Sequence, residues 1–369
     1  MLTHASLRCR LCERTHALAP LSACPICGGP LDVADAARPD PAGATPLSRA
    51  RQLSDQLGVE VLLKNEDASA THSFKDRLAA GAVDAAQAFG LETVCCASTG
   101  NLGEAVAARC ASVGLEAVVL RPADSPPPLP AATYGAKILS VAAGFDECRR
   151  LEHELERLFP WGFVSGNLQA IAAEGAKAVA YEIVEQLGGY FPDAVVAPVA
   201  SGTLFTKLAQ GFDELSAAGT PGLRPRLYGA QAGGCPPVAS AWADDRPLSR
   251  VRPDTEIRSL AIGDPVFGEL AVGAARMSAG AIHAVPEDEI AGHSAFLAET
   301  TGLVADSAAG VALGVLRGLV AAGEISAGER VVLVVTGSAL KPYGFEAERP
   351  AQEVGGDVDS LLSALGVAA

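Results

Sequence analysis

The sequence predicts an α/β protein built on open, mostly parallel sheets with helices on both faces. Strand-length apolar runs alternate with helix-length Ala-rich or amphipathic segments between Val59 and Val335. Hydrophobic residues make up 49% of the chain but aromatic residues only 5%, and there are 39 glycines. Small side chains of this kind favour close packing of helices on sheets. The 369 residues suffice for two or three packed units with sizeable cores.

The elements follow in order. Val59–Leu63 is an apolar strand and Asp76–Phe89 an Ala-rich helix. Thr93–Cys96 is a strand, Leu102–Val113 a helix, Ala117–Leu120 and Ala136–Val141 strands. Asp146–Leu158 carries the helical period of an amphipathic helix. Phe163–Val164 is a short strand before a helix through Glu174–Leu187. Ala194–Pro198, Arg226–Gln231 and Val331–Val335 are buried strands. The segment from Gly355 onward is a tail or a terminal helix over Val358–Leu365, and Pro126-Pro127-Pro128 reads as a loop. In sheets of this type ligands bind beyond the carboxyl ends of the strands. The polar motifs described below fall at such ends.

A net charge of −15 without a long basic run argues against nucleic-acid binding. An anionic small molecule would need local donors. Met1-Leu2-Thr3-His4 does not begin a charged-then-apolar leader, and the apolar runs are too short to span a bilayer. The expectation is a cytoplasmic protein with no membrane partner.

Residues 1–35 form a module of their own. Cys9-x-x-Cys12 and Cys24-x-x-Cys27 are two paired knuckles, able to close a tetrahedral site for a structural Zn²⁺. The 11 residues between the pairs are fewer than the usual spacing of roughly 15–20, so the intervening hairpin must be compact. Gly28-Gly29 would let the backbone approach the sulfurs. The plainer alternative is four free or pairwise oxidised thiols. Cys95, Cys96, Cys110, Cys148 and Cys235 read as ordinary buried thiols.

Two motifs carry the chemistry. In Ser73-Phe74-Lys75-Asp76-Arg77, a lone lysine follows an aromatic residue where a polar loop becomes a helix. Ala97-Ser98-Thr99-Gly100-Asn101 follows an apolar strand and opens the next helix. Taken singly, the first is a surface lysine and the second a helix cap. Together they suit an enzyme that holds pyridoxal phosphate through a lysine Schiff base. In this order they resemble threonine synthase and its relatives among the tryptophan-synthase-like, fold-type II pyridoxal-phosphate enzymes. The resemblance extends over roughly residues 5–345, including Gly43-Ala44-Thr45-Pro46-Leu47, Tyr228-Gly229-Ala230-Gln231 and Ser259-Leu260-Ala261-Ile262-Gly263. A zinc ribbon precedes the catalytic domain in many threonine synthases.

That resemblance implies two open-sheet domains. The larger, cofactor-binding one would span 36–81 and 161–350, with a small α/β domain inserted at 82–160 and a tail at 351–369. It implies Lys75 as Schiff-base residue and later proton carrier, with Phe74 packed behind it. Asn101 would meet the ring's phenolic oxygen, and Ser98, Thr99 and Gly100 the substrate carboxylate. Ala200-Ser201-Gly202-Thr203-Leu204, after a strand and before a helix, would cradle the cofactor phosphate. Thr336, after Val331–Val335, would meet the pyridine nitrogen. A neutral hydroxyl there, rather than an aspartate, would leave that nitrogen less firmly protonated. A homodimer is the family expectation.

The implied reaction converts O-phospho-L-homoserine, a small phosphorylated amino acid, and water to L-threonine and phosphate. The sequence departs from the family pattern at four places. Ala172 stands where relatives carry the arginine of Asn-Pro-x-Arg. His72 replaces Gly, where it could touch substrate phosphate or fill a turn. Ala200–Leu204 has fewer Gly and Asn than usual, and Ala339 replaces Gly in the Thr-Gly-x-Gly-Leu-Lys segment. These changes fit a paralogue acting on another amino acid, such as a cysteate synthase using O-phosphoserine and sulfite, or a serine/threonine dehydratase. A non-catalytic scaffold with the ribbon as its contact module is the alternative outside enzymes.

Overall fold

The computed structural model describes residues 5–35, 43–125, 129–341 and 351–367. Residues 36–42, the Pro126–Pro128 run and the first four residues lie outside them. In chain order the elements begin with β1 (Ser6–Cys9), β2 (Thr15–Ala17), β3 (Leu31–Ala34), β4 (Leu47–Arg49), α1 (Arg51–Leu57) and β5 (Glu60–Asn65). Next come α2 (Lys75–Ala88), β6 (Thr93–Ala97), α3 (Asn101–Val113), β7 (Glu116–Pro122), α4 (Leu129–Thr133), β8 (Lys137–Val141), α5 (Phe145–Glu156), β9 (Gly162–Phe163) and α6 (Gln169–Glu174). Then follow α7 (Ala178–Gln186), β10 (Ala194–Pro198), α8 (Thr203–Ala217), β11 (Arg226–Ala232), α9 (Pro237–Ala243), α10 (Gly268–Met277) and β12 (Ala281–Val285). The chain closes with α11 (Glu287–Thr301), α12 (Ser307–Ala321), β13 (Arg330–Val335), β14 (Gln352–Val354) and α13 (Val358–Leu365).

The chain divides into two compact units. One comprises Met1–Ala42, Lys75–Gly175 and Pro342–Ala369; the other comprises Gly43–Phe74 and Ala176–Lys341. The second holds a six-stranded sheet in the order β12-β11-β10-β13-β5-β4, parallel except for the antiparallel edge strand β4. Strands β10 and β13 sit at its centre and read Ala-Val-Val-Ala-Pro and, after Arg330, Val-Val-Leu-Val-Val, as expected of strands covered on both faces. Helix α12 is buried along much of its length and joins the core under this sheet.

The first unit holds a five-stranded parallel sheet, β14-β8-β7-β6-β9. Its limits differ from the expected 82–160 insertion, for a packing reason. Helix α2 lies against α6, and Gly81 approaches so closely that a Cβ there would meet the Ile171 carbonyl at 2.9 Å. The unit therefore takes in the whole of both helices. The ribbon also belongs to it. Leu7, Cys9, Cys24, Leu31 and Val33 share one core with Ala79, Ala82, Ala170 and Ile171. The C-terminal segment belongs there too, because β14 pairs with β8 at the sheet edge and Leu361 of α13 is buried in the sheet's second core.

The expected helix over Glu174–Leu187 is interrupted. The chain leaves α6 through a 3-10 turn at Gly175–Lys177 before α7. At Gly175 a Cβ would sit 2.0 Å from the Arg77 carbonyl, so only glycine permits this approach. Strand β12 has no counterpart among the expected strands. It is an edge strand whose middle, His283-Ala284, is not fully buried, which breaks the apolar run.

Candidate active site

In the second unit, three adjacent parallel strands deliver polar segments at their carboxyl ends. Strand β10 leads into Val199–Gly202, β13 leads into Thr336, and β5 leads toward Phe74. The last two are fastened together. Ser73 bridges Gly337, Phe74 N–H donates to the Thr336 carbonyl at 3.0 Å, and Ser338 N–H donates to the His72 carbonyl at 3.1 Å. A third strip joins them: Asp306 N–H donates to Gly337 O at 2.9 Å, and Ala339 N–H to Val304 O at 3.0 Å. The backbone one residue before Lys75 is thus set by Thr336 itself.

His72 takes the left-handed conformation, φ 60°, and its exposed ring is held through Nδ1 by the Asp67 carbonyl at 3.0 Å. This is a position that favours glycine, so His72 fills the turn at some backbone cost. Burial pushes the Asp67 carboxyl above its ordinary range.

After β10, Gly202 has φ 87°, and a Cβ on it would meet the Phe267 carbonyl at 2.7 Å. Phe267 N–H in turn donates to Ser201 O at 2.9 Å. No side chain caps α8, whose N-cap is Gly202, so its first N–H groups face outward from a 15-residue helix. The Ser201 and Thr203 hydroxyls lie 3.0 Å apart beside them. Leu204 is core, and Ala200 packs against the core under the sheet, so both offer backbone only. Gln231 fixes the loop from behind: its amide donates to Val199 O and its oxygen accepts from Val238 and Ala239 N–H. An uncapped helix start, a glycine no other residue can replace and two hydroxyls fit a phosphate.

Thr336 is 4% exposed, and its hydroxyl lies 3.4 Å from each carboxylate oxygen of Asp306. Asp306 also caps α12, accepting from Ala309 N–H at 3.2 Å. Desolvation raises its pKa to about 6. Nothing in the local sequence marks Asp306 as a site residue. Asp-Ser before an Ala-rich helix signals only a cap; the approach to Thr336 comes from residues 30 positions apart.

In the first unit, β6 is an interior strand and Ser98–Asn101 leave its carboxyl end. The Ser98 hydroxyl is engaged within the loop. It accepts from Gly100 N–H at 3.1 Å and Gly103 N–H at 2.9 Å, and donates to Gly100 O. Neither the Thr99 hydroxyl nor the Asn101 amide has a hydrogen-bond partner among the described residues. Gly103 lets α3 lie on the sheet, since a Cβ there would meet Val119 at 2.8 Å. A second group absent from the sequence reading, Glu152 of α5, holds the loop root. It is 1% exposed and accepts from Ala97 and Ser165 N–H, both at 3.2 Å. Burial raises its pKa. Lys75 is the first residue of α2 and is partly buried.

The ribbon brings its four cysteine sulfurs within 4.8 Å of one another, an arrangement that could hold a metal ion. Cys24 N–H donates to Gly29 O, and Gly28 N–H to Cys24 O, with Gly28 at φ 71°. A Cβ on Gly29 would crowd Leu11 and the Cys9 sulfur, the latter at 3.0 Å. The Cys12 N–H, aided by Leu11 N–H, brings Cys9 down to about 6 against desolvation. Cys27 is favoured as thiolate by Gly29 N–H, yet the Cys9, Cys12 and Cys24 sulfurs push it up to about 12. Four sulfurs this close cannot all ionise without a cation among them. His16 Nε2 lies 3.3 Å from the Cys24 sulfur. The other five cysteines are buried and form no disulfide among the described residues.

The sequence pattern of the family described as pyridoxal-phosphate dependent enzyme matches residues 39–337. Threonine synthase of Methanocaldococcus jannaschii is 33% identical over 308 residues, 81% of this chain and 75% of that protein. Threonine synthase of Mycobacterium tuberculosis H37Rv is 33% identical over 302 residues, 81% and 82% of the two chains. Among solved structures, a threonine deaminase from T.th. aligns with TM-score 0.65 at 24% identity, covering 82% of this chain and 94% of that one. Threonine deaminase isoform 2 of Solanum lycopersicum aligns with TM-score 0.69 at 20% identity, covering 81% and 80%. These structures share the fold. The chain belongs to the threonine synthase family of pyridoxal-phosphate-dependent enzymes and is a lyase of that class. Among the described residues no helix is long and apolar enough to cross a membrane.

Proposed function

We propose that this lyase converts O-phospho-L-homoserine and water to L-threonine and phosphate. The observation that carries the reading is the 33% identity to threonine synthases over 81% of the chain. When bound, pyridoxal phosphate supplies an electron sink for charge developing on substrate carbon. Lys75 would hold the cofactor covalently, and its amine, once free, would take the substrate's α proton and move a proton at the β carbon. Phe74, anchored by its N–H on Thr336, fixes where that lysine starts. The Ala200–Leu204 segment would hold the cofactor phosphate, Thr336 would face the pyridine nitrogen and Asn101 the phenolic oxygen.

Thr99 and the open N–H groups at the start of α3 receive the substrate carboxylate. Ser98 acts one step behind them by holding the loop in shape. His72 contributes to substrate phosphate only as an imidazolium, because its Nδ1 is already committed to Asp67. The ribbon holds a structural Zn²⁺ through Cys9, Cys12, Cys24 and Cys27, a set that leaves no open position for catalysis. The protein works as a homodimer in the cytoplasm.

A second reading is supported by Ala172. It is 2% exposed in α6, buried where relatives carry an arginine, and packed against α2 near Gly81. Without that cation a substrate phosphate loses a bidentate partner. This favours a paralogue acting by β-replacement on O-phosphoserine with sulfite, or by dehydration of serine or threonine. Mixing purified protein with O-phospho-L-homoserine and measuring phosphate and amino-acid product separates the two. Phosphate with threonine supports the first; no turnover from protein carrying its cofactor, with turnover of one of the other substrates, supports the second.

A further inference from the structure

Thr336 presents a hydroxyl, and a hydroxyl is ambiguous toward a pyridine ring. It can donate its proton to a bare nitrogen or accept from a protonated one. Which it does depends on what else the hydroxyl proton can reach. In this protein it reaches a carboxylate. Both Asp306 oxygens lie 3.4 Å from Thr336 Oγ1. The Thr336 carbonyl is taken by Phe74 N–H at 3.0 Å and by the Ser73 hydroxyl at 3.3 Å, so the residue's backbone is fixed while its hydroxyl turns toward Asp306. Asp306 is itself fixed, through Gly337 O by its N–H and through Ala309 N–H by its carboxylate.

We propose that Asp306 is a positioning residue that orients the Thr336 hydroxyl so that its oxygen accepts a proton-bearing pyridine nitrogen, restoring through one intervening hydroxyl the protonated ring an aspartate would give directly. This rests on the reading that Thr336 faces the ring nitrogen. The hydroxyl proton lies toward Asp306, the oxygen lone pair toward the ring, and no covalent bond changes. The weak electron sink expected of a lone threonine is thereby corrected. The charged groups facing the carboxylate are Lys341, which favours its ionised form, and Asp67, which opposes it. Asp67 in turn faces His72 and Glu66. The pKa near 6 leaves Asp306 ionised at neutral pH.

The test uses full-length protein loaded with cofactor labelled with ¹⁵N in the pyridine ring, read by the nitrogen chemical shift at neutral pH. The wild type is expected to show a protonated nitrogen. Asp306→Asn keeps size and helix cap, since asparagine caps as well as aspartate. Its amide N–H points at Thr336, turning the hydroxyl proton to the ring, and the shift moves to the unprotonated position. Thr336→Val, which leaves the cap intact, gives the same loss, and Thr336→Ser retains the wild-type shift. An unprotonated nitrogen in the wild type overturns the proposal. So does an unchanged shift in Asp306→Asn; if Thr336→Val still moves the signal, only the Asp306 relay fails and the Thr336 reading survives. No change in either variant overturns both, and a change in Asp306→Asn alone overturns the route through Thr336.

Discussion

Replacing Gly202 with alanine tests the phosphate cradle where the structure leaves least room. Two penalties meet at this residue. Its φ of 87° lies in the left-handed region, where an L side chain costs about 1–2 kcal/mol. The new methyl would stand 2.7 Å from the Phe267 carbonyl and 3.0 Å from its Cβ, and forced overpacking of this kind costs about 1–3 kcal/mol. The sum is about 2–5 kcal/mol if the loop holds its shape. Relief requires the segment before α8 to move away from Phe267, which shifts the N–H groups proposed to hold the phosphate. Each 1.4 kcal/mol of binding lost that way is about tenfold in affinity. Spectral titration with pyridoxal phosphate is expected to show affinity weakened at least about tenfold, and thermal melting of the apo protein a lower midpoint. A lower midpoint with unchanged cofactor affinity would refute the cradle assignment. Both unchanged would refute the contact with Phe267 as the constraint on this loop.

Lys75→Ala is expected to abolish the visible absorbance of covalently held cofactor and lower turnover by at least about a thousandfold, as loss of a covalent catalyst does; a retained spectrum would remove Lys75 from its role. Ser98→Ala strips the acceptor from Gly100 and Gly103 N–H and should cost about 1–3 kcal/mol in chemical unfolding, and an unchanged midpoint would show that the hydroxyl is dispensable to the loop. Cys24→Ser is expected to release the metal measured by elemental analysis and lower the melting midpoint, because Cys24 shares its core with α2 and α6; no bound metal in the wild type would leave the ribbon a thiol cluster. Acidification should protonate Asp306 as pH falls through about 6, followed as a change in the chemical shift of its carboxyl carbon. The sign for stability is the opposite of that for a salt-bridged carboxylate. The folded pKa is raised, so this group's contribution to stability grows as pH falls from about 6 toward the ordinary carboxylate range, and Asp306→Asn should flatten that part of the profile.

Much of the architecture was legible because it rests on local signals. The apolar runs at β5, β6, β10 and β13 are strands covered on both faces, and their lengths and Val/Ala content mark them without knowledge of neighbours. Of the two readings open for the C-terminal segment, tail or helix, the structure forms the helix Val358–Leu365; the four knuckle cysteines were legible for their spacing. The break at Gly175 was not, because the residue it avoids, Arg77, lies far back along the chain. Nor was the reach of the first unit, which depends on α2 meeting α6.

The sequence by itself determined the fold class, the family, the order of the motifs and the residue types at each strand end, because backbone propensity, periodicity and Cys spacing are properties of short segments. Tertiary structure alone decided how those residues are used. It committed Ser98 to its own loop, left Asn101 and Thr99 without partners among the described residues, and set His72 in a turn suited to glycine. It also brought Asp306 to the Thr336 hydroxyl. The physical reason is that hydrogen-bond direction and desolvation depend on neighbours in space, and the parallel sheet makes neighbours of strand ends that lie far apart along the chain.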